Sequence, residues 1–183
     1  LIYKLTHSDS VYFLSRPRRF GKSLLVSTLE AYFQGKKHLF EGLAMERLET
    51  EWAEYPVLHM DFSRRKYTDE DKLNELLNIQ ISHWEQLYGS DEKECSFSGR
   101  FEGVIRRAYE KTGKQVVVLV DEYDSPLLDT NSDSALQQKL RNVMRDFFSP
   151  LKSGVIEVLG TLIGFWFVSV ASAILPFAQS ACF

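Results

Sequence analysis

Cysteine is scarce: Cys95 and Cys182 are the two in 183 residues. They are too few and too far apart for a disulfide framework or a metal knuckle, so a reducing, cytoplasmic setting fits best. The four histidines, His7, His38, His59 and His83, lack metal-ligand spacing and read as structural. Excess positive charge is missing too. A formal net charge of −3 gives no support to a dedicated nucleic-acid binder, although a local basic patch is compatible with it. Leu1–Ser10 lacks a signal-peptide pattern, and no repeat or low-complexity tract interrupts the chain. An initiator methionine is absent, which suggests a fragment without its N-terminal segment. With 44% hydrophobic and 26% charged residues, the composition is that of an ordinary globular protein, and the length points to one domain.

Against this background one stretch stands out. Val11–Leu14 is a short apolar run suited to a buried strand. From Gly21 the period changes. Leu24, Leu25, Thr28, Leu29, Tyr32 and Phe33 recur at helical spacing, and Gly35 marks the helix end. Between strand and helix lies a loop that closes on Gly21-Lys22-Ser23, the layout of a phosphate-binding P-loop. A helix N-terminus offers unpaired N–H groups and partial positive charge to an anion. Gly21 lets the backbone come close, Lys22 supplies a point charge, and the Ser23 hydroxyl suits Mg²⁺. The pattern GxxxxGK[ST] wants glycine where this chain has Arg16. Taken alone, the tripeptide is equally compatible with an ordinary strand, loop and basic helix start.

Further along, His38–Tyr55 is mixed, with Leu39, Phe40, Leu43 and Leu48 as core candidates. Pro56–Phe62 reads as a second buried strand. Arg64, Arg65 and Lys66 follow it, either as a solvated basic turn or as a contact for nucleotide or nucleic acid. A helix is expected from Thr68-Asp69-Glu70-Asp71 onward, with Leu73, Leu76, Leu77, Ile81, Trp84 and Leu87 as its stripe. Another is expected from about Gly99 to Lys111, and a third after Ser134, where Ser134 and Gln137 have capping-box spacing.

Gln115–Val120 is the strongest strand, with five consecutive Val and Leu residues. Such runs belong to strands buried on both faces of a parallel sheet. The run ends in Asp121-Glu122-Tyr123-Asp124. An apolar strand followed by Asp-Glu is the Walker B form: Asp121 would hold Mg²⁺, and Glu122 would act as general base on water. An acidic loop after a buried strand is the plainer alternative. The two motifs strengthen each other, and the segment between them has room for an extra strand. The expected fold is α/β, a three-layer P-loop NTPase with a mostly parallel sheet.

The runs FLSRPRRFGKSLLVSTLEAYFQGK, LFEGL, YPVLHMDFS and VVVLVDEYDSPLLD closely resemble the bacterial AAA-ATPase-like family over residues 1–152. The RPRRFGKS loop is itself that family's P-loop, so Arg16 follows the family pattern. The resemblance implies ATP and Mg²⁺ as ligands. Arg18, Arg19, Phe20, Gly21, Lys22, Ser23 and Leu24 would form the phosphate cradle, Ser23 and Asp121 the metal site, and Glu122 with Lys22 the catalytic pair. It further implies a switch or motor acting through an effector domain or protein partner. ATP is preferred over other nucleotides on the resemblance alone. Arg106, Arg107, Arg141 and Arg145 are available as finger residues, with none assigned. A non-hydrolysing nucleotide-binding or interaction scaffold is the alternative, and Glu122 argues against it.

Residues 153–183 depart from what the resemblance leads one to expect, namely a strand and a polar nucleotide-sensing segment. Val158–Ala178 carries no charge. It could be a single-pass membrane anchor, a buried strand over 155–159 with another after it, or a tail in a shifted reading frame, which is the preferred reading. A missing strand would leave one sheet edge open and weaken hydrolysis.

Overall fold

A computed structural model describes residues 21–151, Tyr3 and Thr6, and the backbone of Val11–Ser15 and Val158–Phe165. Among the described residues, four strands form one wholly parallel sheet: β1 (Val11–Ser15), β2 (Val57–Asp61), β3 (Val116–Asp121) and β4 (Val158–Phe165). Their order is β1-β4-β3-β2, so the fold is α/β. The helices are α1 (Lys22–Phe33), α2 (Ala44–Leu48), α3 (Glu70–Tyr88), α4 (Phe97–Thr112), α5 (Ser125–Asp129) and α6 (Ser134–Phe147).

The valine run of β3 explains the layering. All six of its residues are buried, and successive side chains point to opposite faces. Val116, Val118 and Val120 join Leu58 and Met60 in a core with α3, α4 and α6. Val117 and Leu119 face the other way, against Val26, Leu29, Tyr32 and Phe33 of α1. Phe101 and Phe147, stacked with centroids 4.7 Å apart, join α4 to α6 in the larger core.

Local chemistry sets the helix ends. Asp69 accepts a bond from the Lys72 N–H at 3.0 Å and starts α3. Ser96 does the same for Gly99 at the start of α4, also at 3.0 Å. At the end of α1, Gly35 N–H donates to Tyr32 and Lys36 N–H to Ala31, each at 3.0 Å. With Gly35 at φ 67°, this is a Schellman stop.

Several expectations need correction. The buried face of α1 is Lys22, Val26, Leu29, Tyr32 and Phe33, whereas Leu24 is 71% exposed. Its first turn stands at the open end of the sheet, where an apolar side chain meets no partner layer. Phe40 is buried, but Leu39, Leu43 and Leu48 are exposed, as is Leu87 at the end of α3. The cap of α6 is Asp133, which accepts from the Leu136 N–H at 2.9 Å. Ser134 is the first helical residue, and Gln137 instead donates to the Leu127 carbonyl at 2.8 Å.

The largest change concerns the uncharged run. Val158–Phe165 is strand β4, paired with β1 on one side and β3 on the other. The sheet position that a missing strand would leave open is therefore filled, while residues 152–157 and 166–183 lie outside the described residues. No helix among the described residues is long and apolar enough to cross a membrane.

Candidate functional site

Because all four strands are parallel, their C-terminal ends lie along one edge, the usual ligand edge of an α/β sheet. Helix α1 begins there. Gly21 is its N-cap, with φ 73° and ψ 25°, a left-handed conformation that disfavours any Cβ. Among the described residues nothing lies within 4 Å of the position a Cβ would take, so the backbone angle calls for glycine. Lys22 follows, its side chain 4% exposed, while Ser23 is exposed beside it.

The second half of the site comes from β3. Asp121 is its last residue and is 5% exposed. It lies on the sheet face that α1 covers, the face shared by Val117 and Leu119. Its Oδ1 accepts the Glu122 N–H at 3.0 Å, which leaves acceptor capacity on the other oxygen. Glu122 leaves the strand in a left-handed turn, φ 51°, closed by the Ser125 N–H donating to its carbonyl at 2.9 Å. That turn brings Glu122 Oε1 to 3.7 Å from Lys22 Nζ. The Gly-Lys-Ser start and the Asp-Glu end, far apart in sequence, thus meet in space.

Tyr123 anchors the turn from behind. It is buried against Phe62 and Phe148, with ring centroids 6.3 and 5.5 Å away. Burial pushes its phenol up to about 12, against a smaller opposite pull from Arg141. Asp124 is fully buried, and its carbonyl accepts from Leu127 and Leu128 to start α5.

Two residues of this region escaped the sequence reading: Tyr123 as an anchor and Asp61. Asp61 ends β2 as Asp121 ends β3, and the two are register partners. An acid closing a buried apolar run was the available signal, since Pro56–Phe62 repeats the pattern of Gln115–Asp121.

Arg64 pairs with Asp61 at 3.1 Å and Arg65 with Glu75 at 2.7 Å, so the basic turn is largely neutralised by its own surroundings. Arg106 and Arg107 both bind Glu94, at 3.1 and 2.7 Å. Arg141 is half-buried near Tyr123, and Arg145 is exposed. Arg18, Arg19 and Phe20 lie outside the described residues.

For a metal, the residues present offer an exposed hydroxyl at Ser23 and a partly satisfied carboxylate at Asp121. An all-oxygen pair of this kind suits Mg²⁺, which keeps waters and phosphate oxygens as its other ligands. Among the described residues, no group of three or more His, Cys, Asp and Glu could hold a metal unaided.

Comparison with known proteins adds a family. The model of the family described as "Predicted AAA-ATPase" matches residues 1–180, well past Lys152. An "Uncharacterized protein in vnfD 5'region" of Azotobacter chroococcum mcd 1 is 40% identical over 160 residues. That match covers 85% of this chain and 30% of the relative, so the chain spans about a third of the relative's length. No solved structure matches the chain.

Proposed function

The chain belongs to the predicted AAA-ATPase family, and we propose that it binds ATP with Mg²⁺ and hydrolyses it where α1 meets the end of β3. The observation that carries this reading is the approach of Lys22 Nζ to Glu122 Oε1, 3.7 Å apart at the C-terminal sheet edge. A three-layer P-loop arrangement is the fold it presupposes. The parallel order β1-β4-β3-β2, with a core on each face, supports it.

Each residue then has a defined task. The backbone N–H groups at the start of α1, from Gly21 to Leu24, face the phosphates, and Lys22 neutralises the terminal ones. Arg18, Arg19 and Phe20 complete the cradle. Ser23 and Asp121 hold Mg²⁺, whose chemistry is to neutralise charge on the phosphate oxygens. Glu122 accepts the proton of the attacking water as its oxygen bonds to the γ-phosphorus, and the bond to the β-phosphate oxygen breaks. The products are ADP and phosphate, and the energy is passed as a shape change to an effector domain or partner.

The test is calorimetric titration of Mg-ATP into the full chain, since β4 belongs to the sheet. Lys22→Ala should weaken binding about 10- to 100-fold, the worth of a lost charged contact. Glu122→Gln should bind at least as tightly as wild type and lose about 10²- to 10⁴-fold in turnover. Equal binding by wild type and Lys22→Ala would overturn the proposal. Normal binding with no turnover in wild type would leave the non-hydrolysing scaffold.

A further inference from the structure

Strand alternation would turn Glu122 away from Lys22. Val116, Val118 and Val120 face the core of α3, α4 and α6, and a strand continued past Asp121 would send residue 122 the same way. The chain departs from that path at one residue. Glu122 has φ 51°, the sole positive φ at a residue other than glycine among the described residues. Contacts among the described residues hold the turn: Glu122 N–H to Asp121 Oδ1, Ser125 N–H to the Glu122 carbonyl, and Tyr123 buried against Phe62 and Phe148. A non-glycine residue held in this conformation is backbone strain of the kind found at working sites. Here its product is visible, because it aims the carboxylate at Lys22.

Lys22 and Glu122 are 4% and 20% exposed, so their charges interact with little screening by water. We infer that Glu122 and the terminal phosphates of a nucleotide compete for the Lys22 ammonium, so that the lysine restrains the carboxylate until phosphate draws it away. This inference rests on the proposed function and adds a regulation of the same site. The ammonium is the charge that the phosphates need, and Glu122 is the group that water activation needs. Pairing them couples arrival of the phosphate to release of the base. A nucleoside or monophosphate, too short to reach Lys22, would leave the pair closed.

Calorimetry with Mg-ADP, which removes hydrolysis from the measurement, tests the competition. Glu122→Gln should bind Mg-ADP about 3- to 10-fold tighter than wild type, with AMP affinity unchanged. Glu122→Asp, which keeps the charge but shortens its reach, should show a smaller gain and serves if the Gln variant is unstable. A second readout separates a specific pair from general charge repulsion. In nucleotide-free protein, the melting losses of Lys22→Met and Glu122→Gln should be non-additive, with the double variant losing less than the two together. Unchanged or weaker Mg-ADP binding by Glu122→Gln, or additive melting losses, overturns the inference alone. Failure of folded wild type to bind any adenine nucleotide removes the proposed function, and this inference with it.

Discussion

Asp61 and Asp121 stand side by side at the C-terminal ends of adjacent parallel strands, one register step in common. Two carboxylates so placed repel each other unless their charge is met elsewhere. Asp61 meets it within its own turn, where Oδ1 accepts the Ser63 N–H at 2.8 Å and Oδ2 accepts from Arg64 Nε at 3.1 Å. Burial alone would raise the Asp61 carboxyl, but the bonds from Ser63 and the Arg64 guanidinium outweigh it and hold it below its ordinary value.

Asp61→Asn should therefore lower stability by about 1 kcal/mol at neutral pH. The sign of its pH dependence follows from the lowered value. The contribution is fully present above the unfolded carboxylate pKa of about 3.9 and is lost as pH falls through the folded one. Urea unfolding of both proteins should show a constant gap from about pH 7 to 5 that closes in stronger acid. A gap that grows on acidification would contradict this account.

Tyr123 is the packing support of the Asp-Glu turn. Removing its ring opens a cavity beneath Glu122, and Tyr123→Ala should cost about 3–5 kcal/mol in denaturant unfolding. The Lys22–Glu122 approach should loosen with it, and on the proposed function the affinity for Mg-ADP should shift; a stable Tyr123→Ala protein with an unshifted affinity would show that the turn holds itself.

Arg100 joins α4 to α3 through four bonds: two to Glu85 at 2.8 and 2.7 Å, one to Asn78 at 2.7 Å and one to Ser82 at 3.2 Å. The hydrogen bond from Arg100 holds the Glu85 carboxyl below its usual range, against a smaller upward push from burial. Arg100→Ala should cost about 1.5–3 kcal/mol, the worth of charged hydrogen bonds, and Glu85→Ala a comparable amount. In the double variant the losses should overlap, and a simple sum would show that the pair contributes nothing as a pair.

The start of α6 offers a sharper contrast. Asp133 carries the cap, so Asp133→Ala should lower stability by about 1 kcal/mol. Ser134→Ala should change it by a few tenths at most, since alanine is the better helix former. The reverse order of effects in thermal unfolding would restore Ser134 as the cap.

These contrasts show where the sequence was legible. Periodicity identified β3, α3 and α4, because each buries a regular face against a continuous layer: Phe101, Val104, Ile105 and Ala108 are all fully buried. It misjudged Leu24, Leu39, Leu43 and Leu48 for a common reason. They sit on a protruding first turn, a 3-10 turn or a one-turn helix, where hydrophobicity has no opposing surface. Phe40, Trp52 and Tyr32 close that region through ring contacts instead. Asp133 was missed because Asp and Ser are both good caps and stand next to each other. In the site, Lys22, Asp121 and Glu122 were readable as motifs. Their mutual geometry was not, since it depends on one left-handed residue after a strand whose pattern predicts the opposite direction.

The strand order sets a timetable for synthesis. The two neighbours of β4 are β1, far upstream in sequence, and β3. As the polypeptide leaves the ribosome, β2 and β3 can pair early, whereas β1 has no place in the described sheet until Phe165 has been translated. The glycine-lysine-serine turn that follows β1 thus reaches its final address late, after a long loop closure that slows assembly. Until then β1 is an unpaired strand and β2 and β3 are half a parallel sheet, a combination prone to mispairing with other nascent chains.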